Sequence, residues 1–115
     1  MMQPRTRDSL GDIMEATAYI ARKIEASSLE DYLSNEDLRF AIERNLLIVG
    51  EAVVRIRDSD PATLMQITDF REAIGFRNVI IHDYKNVNDT QIWGIITGFL
   101  PKLAEEVRQL LATAD

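Results

Sequence analysis

The chain has 115 residues, of which 46% are hydrophobic and 28% charged, with a formal net charge of −6. Those values predict one soluble globular domain over residues 1–115, able to bury roughly two-thirds of its unfolded surface, and exclude a disordered or low-complexity chain. The absence of cysteine and the presence of a single histidine exclude disulfides, a thiolate nucleophile, sulfur-ligated zinc and a multi-histidine metal site within one chain.

Among the 19 acidic residues there is no calcium-loop spacing, so neither metal nor cofactor is expected. No apolar run approaches the ~20 residues that cross a bilayer. The opening "MMQPRTRDSLGDIMEA" places acids where a secretory signal needs an apolar stretch, so a cytoplasmic chain with no membrane partner is expected. The acidic balance speaks against a sequence-independent nucleic-acid coat. It leaves room for a local basic cleft or a basic partner protein.

Taken in chain order, helical spacing recurs throughout. From Asp8 to Ala26, Leu10, Ile13, Thr17, Ile20 and Ile24 repeat at threes and fours, with Met14 and Ala21 widening the stripe. The polar joint "SSLEDYLSNED" follows, and Ser34 or Asn35 can cap the next helix. That second helix carries Leu38, Ile42, Leu46, Val49, Val53 and Ile56 to about Arg57, with Leu47, Ile48 and Val54 suggesting another buried face. Gly50 in "GEA" fits close helix packing, and Glu51 carries no chemical role.

The turn "DSDP" puts Pro61 in the first turn of a short helical piece around Leu64 to Ile67. A third helix has Phe70, Ile74 and Ile81 on one side and Ala73, Phe76 and Ile80 on another. Gly75 within it suggests close approach of a neighbour. After "KNVND", Asn88 with Gln91 resembles a capping box. The fourth helix carries Ile92, Ile96, Phe99, Leu103, Val107 and Leu110, and Pro101 predicts a kink near Gly98. Trp93 fits the core or an interface. The expected fold is all-α: an antiparallel up-and-down four-helix bundle with a short extra helical segment.

The stretch "RNVIIHDY" at Arg77 to Tyr84 concentrates the chemistry. Five positions separate Arg77 from His82, about 140° around an ideal helix, so the two do not stack on one face. Asn78 does share a face with His82, and Arg77 can bend toward it. Guanidinium, amide, imidazole and phenol suit phosphodiester chemistry in RNA. Arginine stabilises phosphoryl charge, and histidine can take a proton from a 2′-hydroxyl or give one to a leaving 5′-oxygen. One imidazole cannot be base and acid at once, so a two-fold dimer that pairs two copies of the third helix is required by this reading.

"RNVIIHDY" resembles the Arg, four residues, His, one residue, Tyr pattern of the HEPN-superfamily ribonucleases, in the variant of the HepT toxin group. The resemblance extends through "IVGEAVVRI", "FREAIGFRN" and "NDTQIWGIITGFLPKL", nearly the whole chain. It implies a metal-independent endoribonuclease toxin of a type VII-like toxin–antitoxin system, dimeric through its bundle, with Arg77 and His82 catalytic and Asn78 supporting. It also implies a partner, a minimal nucleotidyltransferase antitoxin that adenylylates the motif tyrosine, here Tyr84. Modification there would obstruct the cleft by bulk and negative charge.

Plainer readings stand beside these. His82 suits a helix C-terminus, Arg77 a surface ion pair with Glu72 or Asp83, Tyr84 an interface, and Asn78 backbone ordering. A non-catalytic helical subunit presenting a nucleotide or substrate to a small nucleotidyltransferase is the alternative function. RNA target and specificity would depend on cleft shape and on joints such as "SSLEDYLSNED".

Overall fold

The computed structural model describes residues 2–113, and every described element is helical. The first helix, α1 (Pro4–Ile24), starts earlier than its apolar stripe because Pro4 occupies the first helical turn, where a missing N–H costs nothing. Leu10, Ile13, Ala16, Thr17 and Ile20 form its buried side.

The joint after α1 is more ordered than its polarity suggests. Residues Leu29–Ser34 form α2, opened by a complete capping box. The Asp31 N–H donates to Ser28 Oγ at 3.1 Å, and the Ser28 N–H donates to the Asp31 carboxylate at 2.9 Å. This short helix buries Tyr32 completely.

Helix α3 (Glu36–Ser59) opens on Asn35, whose Oδ1 accepts the Leu38 N–H at 3.0 Å. Ile42, Leu46, Val49, Val53 and Ile56 are fully buried along it. Each such side chain contributes about 2 kcal/mol by leaving water. The suggested second face is only partly covered. Leu47 packs at the margin of the core, whereas Ile48 is 36% exposed.

Asp60 then joins three elements. Its carboxylate accepts the Thr63 hydroxyl at 2.7 Å and the Thr6 hydroxyl of α1 at 2.9 Å, capping α4 (Pro61–Leu64). The helical piece thus lies slightly earlier than Leu64 to Ile67, although Leu64 and Ile67 are both buried. Asp69 turns the chain with φ of 61°, a left-handed conformation that short polar side chains tolerate.

Helix α5 (Phe70–His82) buries Ala73, Phe76 and Ile80. Phe70 and Ile74 lie at the edge of the core, and Ile81 is 42% exposed. A 3₁₀ turn over Tyr84–Asn86 leads to α6 (Asp89–Gly94), where Asn88 Oδ1 accepts the Gln91 N–H at 3.0 Å. The kink expected near Gly98 takes the form of a π-helical turn over Ile95–Phe99, in which the Leu100 N–H donates to the Ile95 carbonyl. Because Pro101 has no N–H and its ring would press on the preceding turn, widening that turn lets the chain run on into α7 (Leu100–Thr113).

In the all-α bundle, α3 packs between α1 and α5, and α7 lies against α1. An edge-on contact of Phe76 with Phe99, centroids 6.2 Å apart, joins α5 to the wide turn. Trp93 tilts against Tyr32 at 5.6 Å, so α2 is stapled beneath α6. No helix among the described residues is long and apolar enough to cross a membrane.

Candidate active site

The residues of "RNVIIHDY" occupy the last turns of α5 and the 3₁₀ turn beyond it. Because α5 remains regular through His82, Arg77 and His82 keep the roughly 140° separation of an ideal helix. Asn78 closes part of that gap. Its Oδ1 accepts a hydrogen bond from Arg77 Nη1 at 2.9 Å, drawing the guanidinium toward the exposed face that carries Asn78 and His82. Arg77 forms no ion pair with Glu72 or Asp83. Among the described residues the His82 side chain has no hydrogen-bond partner. Amide and guanidinium are therefore joined, and the imidazole stands one turn beyond Asn78 on the same helix.

Tyr84 is 52% exposed, and its turn is held from below. Asp83 ends α5 by donating its N–H to the Val79 carbonyl at 2.8 Å, while its Oδ1 accepts Asn86 Nδ2 at 2.7 Å. The clamp fixes the backbone on both sides of Tyr84 and leaves the phenol facing water. The spacing of Asp83 and Asn86 could have signalled it in the sequence, since an Asx side chain commonly bonds a few residues onward.

Close packing was expected at both Gly50 and Gly75, and the structure places it at Gly50 but not at Gly75. Gly75 has no close neighbour: an added Cβ would meet nothing within 4 Å. It borders an open groove of about 310 Å³ between α5 and α6, lined by Phe76, Val79, Gln91 and Ile92. Gly50 is the tight position. A Cβ there would collide with Arg77 Cβ, and would lie 3.0 Å from the Ala73 carbonyl oxygen and 3.1 Å from Arg77 Cγ. Close helix packing at "GEA" is thus present, and its neighbour is the root of Arg77.

A second polar cluster lies where α2, α3 and α6 meet. Glu43 is only 7% exposed, and burial pushes its carboxyl above the usual range, with the Asp89 carboxylate adding to the rise and Arg39 opposing it. Burial likewise pushes the Tyr32 phenol well up; among the described residues its hydroxyl has no hydrogen-bond partner. Arg39 bonds the Tyr32 and Leu33 carbonyls and lies 3.5 Å from Asp89. This cluster was not legible from spacing, because Asp89 is far from the other three in sequence and Tyr32 belongs to a different helix. Nowhere among the described residues do three His, Asp or Glu side chains gather as potential metal ligands.

Residues 13–110 match the family model described as HepT-like, ribonuclease HepT-like. The chain belongs to the HepT-like ribonuclease family. It is 30% identical over 109 residues to a Thermococcus cleftensis protein named "Probable ribonuclease HepT", covering 95% of this chain and 98% of that one. A protein named as a candidate RNase from Methanocaldococcus jannaschii is 29% identical over 98 residues, or 85% and 89% of the two chains. Another, from Caldanaerobacter subterraneus subsp. tengcongensis, is 29% identical over 105 residues, or 91% and 93%. No solved structure matches at a significant level. With the match spanning almost the whole bundle, the all-helical HEPN-like architecture belongs to the family, and a nuclease is the activity it supports.

Proposed function

We propose that this family member is the toxin of a toxin–antitoxin pair, a metal-independent endoribonuclease that works as a homodimer and is silenced by adenylylation of Tyr84. The observation that carries the reading is the Arg77–Asn78 hydrogen bond, which brings a guanidinium toward the exposed face of α5 that also bears an unpartnered His82. In this reading a 2′-oxygen of RNA forms a bond to the adjacent phosphorus, and the bond from phosphorus to the 5′-oxygen breaks. One His82 takes the 2′-hydroxyl proton, and His82 of the partner subunit gives a proton to the leaving 5′-oxygen. Arg77 stabilises the charge that grows on the phosphoryl oxygens. The products are a 2′,3′-cyclic phosphate and a 5′-hydroxyl.

Two copies are required because one chain offers one imidazole. Exposed apolar side chains support a dimer: Ile81, one turn beyond Arg77, is 42% exposed, and Phe40 and Ile48 of α3 are 47% and 36% exposed. The clamped, exposed Tyr84 supports the modification role, since a nucleotidyltransferase could reach the phenol without unfolding α5.

The test is cleavage of total cellular RNA in the presence of a chelator, using protein produced without any partner, with His82→Ala compared at equal folded concentration. Cleavage that survives chelation, leaves cyclic phosphate ends and falls by about 100-fold or more in the variant is expected. No cleavage by the folded, unmodified parent would shift the assignment to a binding subunit of a nucleotidyltransferase.

A further inference from the structure

Arg77 is attached to the molecule at its root rather than at its tip. Its Nε is buried without a hydrogen-bond partner among the described residues, while Nη1 reaches Asn78. An unpaired buried N–H is costly, so the packing that encloses it must be strongly imposed. Gly50 packs against the root of the same side chain. It lies buried on α3, opposite Ala73 and Arg77, where only a hydrogen atom fits. The atoms an added methyl would strike are Arg77 Cβ and Cγ and a backbone carbonyl oxygen. None is the free end of a flexible side chain, so a rotamer change cannot relieve the collision, and α5 itself would have to move away from α3.

Resting on the ribonuclease reading above, we infer that Gly50 is a positioning residue for Arg77. By letting α5 sit directly on α3, it sets how far the guanidinium projects and leaves the Nη groups, rather than Nε, to meet a phosphate. Asn78 then fixes the direction of the fork, and Gly50 fixes its height. His82 lies about 7.5 Å farther along α5, so lifting the Arg77 turn alters the relation between guanidinium and imidazole before it disturbs the imidazole itself.

The experiment is a double-mutant cycle between Gly50→Ala and Arg77→Lys, made in a Gly75→Ala background. That background supplies helix propensity where a methyl meets nothing, offsetting part of the strain introduced at position 50. Folding is followed by circular dichroism and thermal melting, and cleavage by single-turnover kinetics at saturating enzyme. With Arg77 present, Gly50→Ala is expected to slow cleavage about 100-fold, the scale of a 1 Å misplacement. With Arg77→Lys already in place, it should cost less than about threefold, because the planar fork it positions is gone. A mere loss of folded protein would multiply both rates by the same factor, and equal losses would overturn the inference.

Should Gly50→Ala fail to fold, Gly50→Ala with Arg77→Gly gives the decisive melting curve. Measured against Arg77→Gly alone, a much smaller loss of Tm on adding Gly50→Ala than in the parent supports the contact, and an equal loss refutes it. A parent that cleaves no RNA would overturn the ribonuclease reading. A cleaving parent with unchanged kinetics in folded Gly50→Ala would overturn only the role of Gly50.

Discussion

Only one residue separates His82 from Tyr84, yet the two stand in different local structures, the imidazole ending α5 and the phenol on the clamped 3₁₀ turn. Tyr84→Phe is therefore expected to retain most RNA cleavage while escaping silencing. Co-expression with the proposed nucleotidyltransferase partner and intact mass measurement check this, and continued addition of adenylyl groups elsewhere with loss of activity would contradict it. Glu43 gives a prediction of another kind. Its carboxyl is raised by burial above the ordinary 4.5, so its contribution to stability is full below that value and is lost as pH climbs through the raised one. Glu43→Gln should raise Tm at neutral pH and leave it nearly unchanged below pH 4.5, as melting curves across pH would show. Asp60 runs the opposite way: the Thr63 hydroxyl bond holds its carboxyl low, so its contribution is present above the usual carboxylate range and fades in acid. The sequence made Arg77, Asn78, His82 and Tyr84 visible because they lie within eight positions at telling intervals. Arg39 and Glu43 stand one turn apart on α3, but their cluster was invisible because Asp89 reaches it from α6 and Tyr32 from α2.

The helices obeyed their apolar spacing where burial was one-sided and departed from it where local chemistry intervened. The stripes of α1 and α3 and the Asn35 cap could be read directly, since each repeats over several turns. The segment before α3 was misleading: one buried aromatic, Tyr32, anchors α2 among charged neighbours, too short a pattern for periodicity to register. Arg39 holds that helix by bonding the Tyr32 and Leu33 carbonyls. Arg39→Ala should destabilise the protein by about 1–3 kcal/mol, measurable by urea unfolding, with the earliest loss of amide protection in α2. Gly75→Ala should act in the other direction. A methyl there meets open space, so a gain of about 0.5–1 kcal/mol from helix propensity is expected in the same assay.

The molecule measures 45 × 29 × 19 Å, a slender body whose short axis holds about two helix diameters. Such a shape leaves broad helix faces uncovered, and the exposed Phe40, Ile48 and Ile81 are the residues through which a second copy is expected to pack. If the proposed dimer forms there, Ile81→Asp should give a monomer in light scattering and abolish cleavage together; an active monomer would refute the composite cleft. The wide turn at Ile95–Phe99 bears on how the chain can vary in length. A π turn holds one residue more than the helix needs while keeping the segments on either side in step. Removing one residue from that turn, together with Pro101→Ala, should leave Ile92 and Leu103 facing the core and give a folded protein. The same deletion within α7 would rotate everything downstream by about 100° and turn Val107 toward water. In this bundle the spare residue is a tolerance built into the helix, a place where evolution can shorten the chain without rewriting the core.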